Sequence, residues 1–182
     1  MESLVVLGTV WASAENSFTE PRGRLGWRSG VRRVPVEFLD WTVDDVPLRS
    51  LLGLPKGGLP NERTLMVKGF EQTSFATSSL VALLDEHGGY EEAGDDWVSY
   101  DDGRTAILYC PECGALDCPS ITARIEFTDS TVRWRDIAYQ TEFPDLATFD
   151  TFDPVTLVFA REQYEASVRS LLTVWRAPDA EG

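Results

Sequence analysis

The sequence predicts an α+β fold with a mainly antiparallel sheet, a central helix and a C-terminal amphipathic helix. Three observations support this class. Residues 121–127 alternate apolar and polar side chains, and only residues 128–130 separate them from a second strand-like segment at 131–139, as in an antiparallel meander. The apolar residues of 164–175 recur at helical spacing. Strand and helix segments do not alternate regularly, as they would around a parallel sheet.

The first 70 residues are predicted to form three strands and one short helix. The strands are apolar or alternating segments, and Gly, Pro or Asp residues mark most of the breaks. In chain order we predict a buried strand at 4–11, a Gly- and Arg-rich connection at 16–30, a strand at 34–43, a turn at 42–45, a helix at 47–52 that Gly53 ends, a loop at 54–62 and a strand at 64–70. In the second strand Val34, Val36, Phe38 and Asp40 share one face.

The rest of the chain is predicted to form the central helix, a meander and the C-terminal helix. Thr73 or Ser74 can cap a helix that runs to about residue 86 and ends at Gly88 and Gly89. Its apolar face consists of Ala76, Leu80, Leu83, Leu84 and His87. Strands are predicted at 105–109, 121–127, 131–139 and 155–159. The last helix has an apolar face of Tyr164, Val168, Leu171, Leu172 and Trp175, and a frayed tail at 176–182 follows it.

Length and composition predict a single domain over residues 1–182. Hydrophobic residues make up 43% and aromatic residues 11% of the chain, enough for one substantial core. No stretch approaches the ~20 apolar residues of a spanning helix, so we expect no membrane insertion. The apolar run at 4–10 is short for a signal peptide and follows Glu2 without any Lys or Arg. We therefore expect a cytoplasmic protein.

Charge is unevenly distributed along the sequence. The 16 basic and 30 acidic residues give a net charge of −14, and residues 71–182 alone carry −15. Phosphate backbones and anionic membranes repel such a chain, so we expect no direct nucleic-acid binding, whereas a basic protein partner would be attracted. The simpler interpretation of the charge is solubility. Eight acidic residues cluster without the ligand alternation of a calcium loop: Asp85, Glu86, Glu91, Glu92, Asp95, Asp96, Asp101 and Asp102.

A basic cluster lies in the N-terminal part. Five arginines surround Trp27 in a Gly-rich stretch: Arg22, Arg24, Arg28, Arg32 and Arg33. Such a pattern can hold an anion or a nucleic acid. A solvated loop or hairpin is the interpretation that we favour.

The candidate site is a cluster of all three cysteines within nine residues. Cys110, Cys113 and Cys118 have the spacing C-x2-C-x4-C, and Cys-Pro-x-Cys-Gly has the sequence of a zinc knuckle, in which a tight turn points two thiolates at one metal. Structural zinc requires four ligands. His87, the only histidine, can supply the fourth by folding back from the end of its helix. Asp117 is a poorer choice because it is adjacent to Cys118.

Two alternatives to zinc remain open for these cysteines. Cys110 and Cys113 can cycle between dithiol and disulfide, with Cys118 as a resolving thiol. A thioredoxin-like CxxC, however, begins a helix, and here a strand is predicted soon after Cys118. The remaining interpretation is a set of buried thiols that pack as small apolar residues.

The same region resembles a known group of sequences. Residues 108–114, 121–126 and 131–136 resemble a group of uncharacterised actinobacterial proteins with the pattern CPxCGDxGCGAxTxxxE followed by VxWxDF, some of which carry an oxidoreductase label. This chain departs from the pattern at Ala115, Asp117 and Pro119. The resemblance implies kinship and no particular activity.

Motifs of common enzyme classes do not occur in the sequence. There is no G-x-S-x-G, H-E-x-x-H, G-x-G-x-x-G or Walker A motif, and any Ser-His or Cys-His chemistry would have to use His87. Asp136, two residues after Trp134, is the carboxylate that we would examine for burial, although a backbone hydrogen bond at a strand end explains it more simply.

Together these observations predict a non-catalytic, acidic protein-binding module, of an immunity, inhibitor or adaptor type, braced by the Cys loop. A small thiol-redox enzyme that uses Cys110 and Cys113 is the second hypothesis, and an acidic mimic of nucleic acid is the third.

Overall fold

The structure is a computed structural model that describes residues 3–22, 28–54, 63–69, 74–84, 98–111, 113–141, 150–151 and 155–176. For 16–22, 28–32, 150–151 and 176 it describes the backbone only. The elements are β1 (Leu7–Arg22), β2 (Arg28–Val43), β3 (Val46–Pro47), α1 (Leu48–Leu51), β4 (Met66–Val67), α2 (Ser74–Ala82), β5 (Thr105–Leu108), β6 (Ser120–Phe127), β7 (Thr131–Gln140), β8 (Asp150–Thr151), β9 (Leu157–Ala160) and α3 (Arg161–Arg176). They form two antiparallel sheets with a C-terminal helix, which confirms the predicted α+β class.

The first sheet is built on a long β1–β2 ribbon. Its strands pair without interruption from Leu7 opposite Val43 to Arg22 opposite Arg28. At the inner end β2 also pairs with β3 and β4. Asp44 and Asp45 join β2 to β3 in left-handed conformation, with φ of 49° and 64°, as a two-residue turn of this hand requires.

Two predictions for this half have clear outcomes. The short helix before Gly53 is confirmed, and Gly53 has the φ of 66° that favours glycine at a helix end. The connection predicted at 16–30 is wrong, because both strands of the ribbon extend into it. Its Gly, Arg and Ser residues have weak strand preferences, but pairing in unbroken register satisfies the backbone whatever the side chains are.

The second sheet contains the meander β5–β6–β7, with β8 and β9 both paired to β7. The predicted strands here are confirmed within one or two residues at their ends. The β6–β7 register shifts between Thr122 and Arg124, so that one residue of β6 faces two of β7. Asp136 lies in this bulge with a φ of 52°.

Aromatic side chains from both sheets meet in one core. Trp41 of β2 packs edge-on against Trp134 of β7 with ring centroids 6.0 Å apart, and Trp134 packs in the same way against Tyr164 of α3. The Trp41 Nε1 donates to the Ile107 carbonyl of β5 at 2.9 Å. The two sheets and α3 therefore share one continuous hydrophobic cluster.

The helices close this core in different ways. α2 is buried nearly all round, since even Ser79 is buried and donates to the Ala106 carbonyl at 2.8 Å. α3 packs its predicted apolar face inward, with Tyr164 and Val168 fully buried. The side chain of Gln163 on α3 accepts from the Leu7 amide and donates to the Leu7 carbonyl. No helix in the described part of the chain is long and apolar enough to cross a membrane.

Candidate metal centre

The cysteine cluster lies in the connection between β5 and β6, and buried neighbours fix the point where this loop begins. Tyr109 exchanges two backbone hydrogen bonds with Thr64, and its hydroxyl donates to the Leu65 carbonyl at 3.0 Å. The Phe75 ring packs against it at 5.0 Å. Burial raises the pKa of the Tyr109 hydroxyl, which stays protonated as a donor. Cys110 therefore leaves a rigid part of the core.

The first two cysteines form the tight turn that the knuckle sequence predicts. The Gly114 amide donates to the Cys110 carbonyl at 3.0 Å, and Gly114 has a φ of 56°, which glycine adopts without strain. The Cys113 amide donates to the Cys110 Sγ at 3.4 Å. An amide that points at a cysteine sulfur stabilises a thiolate there. The turn therefore makes Cys110 a candidate metal ligand.

The returning part of the loop is held against the end of β7. The Thr141 hydroxyl donates to the Asp117 carbonyl at 3.1 Å, and the Tyr100 hydroxyl donates to the Gln140 carbonyl at 3.2 Å. Leu116 is buried, and the Ser120 hydroxyl donates to the Cys118 carbonyl at 3.3 Å. These contacts bring Cys118 back to the first two cysteines.

The three Sγ atoms converge on one point. All lie within 4.8 Å of one another, and those of Cys110 and Cys113 are 3.1 Å apart. With Zn–S bonds of about 2.3 Å, sulfurs on one face of a zinc tetrahedron are about 3.8 Å apart, so the cluster has the size of such a face. Cys110 is buried, Cys118 is half-buried and Cys113 is exposed. An ion can therefore reach the site from solvent.

The pKa of the Cys118 thiol bears on how this cluster would bind a metal. Burial raises the pKa of this thiol. A hydrogen bond with Cys113 lowers this pKa, whereas the neighbouring Cys110 and Asp117 charges raise it. Three thiolates so close together repel one another, and a bound cation removes this repulsion. Metal binding would therefore release protons and strengthen as the pH rises.

The predicted fourth ligands have different outcomes. His87 lies outside the described residues. The Asp117 carboxylate does not join the cluster, because among the described His, Cys, Asp and Glu side chains the structure brings only the three cysteines together. The poor geometry expected for Asp117 is consistent with this. The site supplies three soft sulfur ligands, the donor type that zinc prefers in structural centres.

Asp136 is not the buried carboxylate of this fold. Its side chain is 51% exposed and lies 3.5 Å from the Arg124 guanidinium. The reason is the bulge, which turns this residue of β7 away from the core.

The buried carboxylate belongs to Asp40, which the sequence analysis placed on the apolar face of β2 without giving it a role. It is 0% exposed and accepts from the Arg49 Nε at 2.7 Å. The Arg49 guanidinium covers the Phe38 ring and donates to the Arg63 carbonyl. Within the described residues the second oxygen, Oδ1, has no hydrogen-bond partner. Burial raises the pKa of Asp40 although Arg49 lowers it. The sequence did contain a signal for this burial, because Asp40 is the one acidic residue on a strand face whose other members, Val34, Val36 and Phe38, are apolar.

The fold and site define an α+β protein with a convergent three-thiol cluster. Comparisons with protein-family models, curated proteins and solved structures give no significant match. The resemblance to the actinobacterial group is not tested by them and stays a prediction.

Proposed function

We propose that this protein is a non-catalytic protein-binding module whose Cys loop is braced by a structural zinc ion. The observation that carries the proposal is the convergence of three Sγ atoms within 4.8 Å. Zinc would be held by Cys110, Cys113 and Cys118, with His87 as the fourth ligand. Bound there, the ion would tie the start of the loop to its end and so fix the connection between β5 and β6. A loop braced in this way can present a rigid surface without performing chemistry.

Metal content per chain tests the zinc part of the proposal. Protein purified without chelator should contain one zinc per chain, and Cys113→Ser should contain none and unfold at a lower temperature. Asp117→Asn is the matched control, because Asp117 is an exposed residue of the same loop and its replacement removes no sulfur. His87→Ala should weaken zinc binding at least tenfold. Equal zinc in the wild type and in Cys113→Ser would refute the site.

The partner proposed for this module is a basic protein, in keeping with an immunity, inhibitor or adaptor role. The support is the charge of −15 on residues 71–182, with exposed acids at Asp117, Asp129 and Glu162. Long-range attraction of this kind weakens as salt screens it. We therefore expect a basic partner to be held stoichiometrically at low salt and released at high salt.

Matched charge variants locate the binding surface. Neutralising Asp117, Asp129 and Glu162 to the corresponding amides should weaken partner binding at least tenfold at 50 mM NaCl. The control neutralises three exposed acids before residue 70, Glu15, Glu37 and Asp45, and changes net charge equally. Partner binding that is insensitive to salt, or equally sensitive in both variants, would contradict binding through the acids of residues 71–182.

A thiol-redox activity is the second candidate, because one observation favours it. The Sγ atoms of Cys110 and Cys113 are 3.1 Å apart, and Cys113 is exposed to an oxidant. Trapping of free thiols across a glutathione redox titration separates the two functions. A redox pair would titrate reversibly at a defined potential, whereas a zinc-bound trio would stay reduced until the metal is removed.

A further inference from the structure

We propose that the Cys loop also binds a trivalent, three-coordinate thiophilic ion, for which arsenite is the probe. The inference rests on the cysteine site of the proposed function and names a second class of ligand for that site. It uses only Cys110, Cys113 and Cys118, whose sulfurs lie within 4.8 Å of one another. It does not depend on His87 or on which metal occupies the site.

The donor set of the cluster consists of three soft sulfur atoms. Among the described Cys, Asp and Glu side chains no fourth donor joins them, and even the carboxylate of Asp117 stays outside. Soft ions prefer thiolate sulfur to oxygen. Structural zinc needs a fourth ligand in addition to these sulfurs. An ion that is complete with three sulfur ligands needs nothing beyond this cluster.

The spacing of the sulfurs favours a pyramidal ion. With bonds of about 2.3 Å, two sulfurs are about 4.0 Å apart around a planar three-coordinate ion, about 3.8 Å apart in a tetrahedron and about 3.3 Å apart where the bonds meet at right angles. The Sγ atoms of Cys110 and Cys113 are 3.1 Å apart. Trivalent arsenic forms bonds of similar length to three sulfurs in a pyramid, because its lone pair takes the remaining position. The observed pair is closest to this arrangement.

The loop is held from both sides, so that all three sulfurs can bind one ion together. Before the loop, Tyr109 exchanges two backbone hydrogen bonds with Thr64. On its return, the Thr141 hydroxyl donates to the Asp117 carbonyl at 3.1 Å. These contacts limit how far the cysteines can separate. An ion bound by one sulfur therefore meets the other two at high effective concentration, and little order has to be gained on binding.

The exposed thiol of Cys113 is where the ion can enter, since Cys118 is half-buried and Cys110 is buried. Arsenous acid is uncharged at neutral pH, so the net charge of −14 does not repel it. Its reaction with three thiols breaks three As–O and three S–H bonds, forms three As–S bonds and releases three waters. Arsenic stays trivalent, and no oxidant or reductant is consumed. Where zinc occupies the site, its cysteines are thiolates, so the same exchange takes up three protons and releases Zn²⁺.

Arsenite titration of the protein as purified, kept reduced with a phosphine, tests the inference. Native mass spectrometry should show one arsenic per chain in place of three hydrogens, with any bound zinc released in proportion. X-ray absorption at the arsenic edge of the wild type should show three sulfur neighbours and no oxygen. Cys113→Ser should weaken arsenite binding at least tenfold, because only two sulfurs remain. Asp117→Asn, at an exposed position of the same loop, is the control and should change it less than threefold.

His87→Ala separates this inference from the proposed function. It should weaken zinc binding and leave arsenite binding within threefold, because three sulfurs are sufficient for arsenic. Equal arsenite binding by the wild type and Cys113→Ser, or fewer than three sulfur neighbours in the wild type, would overturn the inference. A protein that holds zinc but takes up no arsenite would also overturn it, while leaving the zinc proposal intact. A protein that binds arsenite through three sulfurs but no zinc would support it and refute the zinc proposal.

Discussion

At the scale of single residues, the Asp40–Arg49 pair has the most unusual environment of the described ion pairs. The Asp40 side chain is completely buried, and the Arg49 side chain is 21% exposed. Removing a carboxylate from water is costly, and one arginine contact compensates for it only in part. The pKa of Asp40 is raised because the cost of burying its charge exceeds the stabilisation by Arg49, and the protonated form is therefore favoured more inside the protein than in water.

This environment predicts how Asp40 affects stability as the pH changes. Because its folded pKa lies above its unfolded value, its contribution to stability is greatest below about pH 3.9 and is lost as the pH rises through the folded pKa. Asp40→Asn does not titrate at this position. The unfolding free energy of the wild type minus that of Asp40→Asn should therefore fall between pH 4 and pH 7 in urea titrations. A difference that rises with pH would show that Arg49 outweighs burial.

Among the elements, sequence periodicity predicted most of the strands and the C-terminal helix. It also predicted where α2 begins, but α2 ends at Ala82 and not near residue 86. The alternation in β6 and β7 and the helical stripe of α3 report which side is buried, so their positions followed directly. The length of the β1–β2 ribbon could not be predicted from the sequence. Pairing between β1 and β2 depends on the backbone register, which the Arg, Gly and Ser side chains do not reveal. The position of Asp136 in a bulge was equally hidden.

The candidate site was predictable to a similar degree. The spacing of Cys110, Cys113 and Cys118 was sufficient to predict that their sulfurs converge, because a tight turn and a short return loop leave few other arrangements. The proposed fourth ligand, His87, is far from the cysteines in the sequence, and spacing alone does not indicate whether such a residue approaches them. The burial of Asp40 was missed because alternation places a residue on a face without indicating what lies opposite it.

The turn between β2 and β3 depends on a left-handed backbone conformation at Asp45. Asp45 has a φ of 64°, a conformation that β-branched residues strongly avoid. Asp45→Val should lower the unfolding free energy by about 1–2 kcal/mol, whereas Asp45→Gly should leave it unchanged or slightly higher. Ser13→Val, at an exposed strand position, is the control for adding a branched side chain. Denaturant titrations that show equal stability for both Asp45 variants would exclude the left-handed turn.

At the scale of the whole molecule, the two sheets are joined through buried aromatic residues. Trp41 contacts Trp134 across the sheets and donates to the Ile107 carbonyl, so the first sheet is tied to two strands of the second. The hydrophobic cluster that includes them also extends to α2 and α3. A shared core of this kind favours cooperative unfolding of both sheets together.

Trp41→Phe tests this coupling. It removes the hydrogen bond to the buried Ile107 carbonyl and leaves a small cavity, so the unfolding free energy should fall by about 2 kcal/mol. Unfolding should remain a single transition, with coincident fluorescence and circular dichroism curves. Trp11→Phe is the control, because Trp11 is 51% exposed and should cost less than about 0.5 kcal/mol. Two separate transitions in the wild type would mean that the sheets unfold independently.

X-ray absorption at the zinc edge of the chelator-free protein decides whether the three cysteines hold zinc. With zinc bound there, we expect about three sulfur ligands near 2.3 Å and one nitrogen near 2.0–2.1 Å. The nitrogen should be lost in His87→Ala while the sulfur ligands remain. A shell of oxygen and nitrogen alone, or a protein that takes up no zinc at neutral pH with its thiols reduced, would contradict the claim.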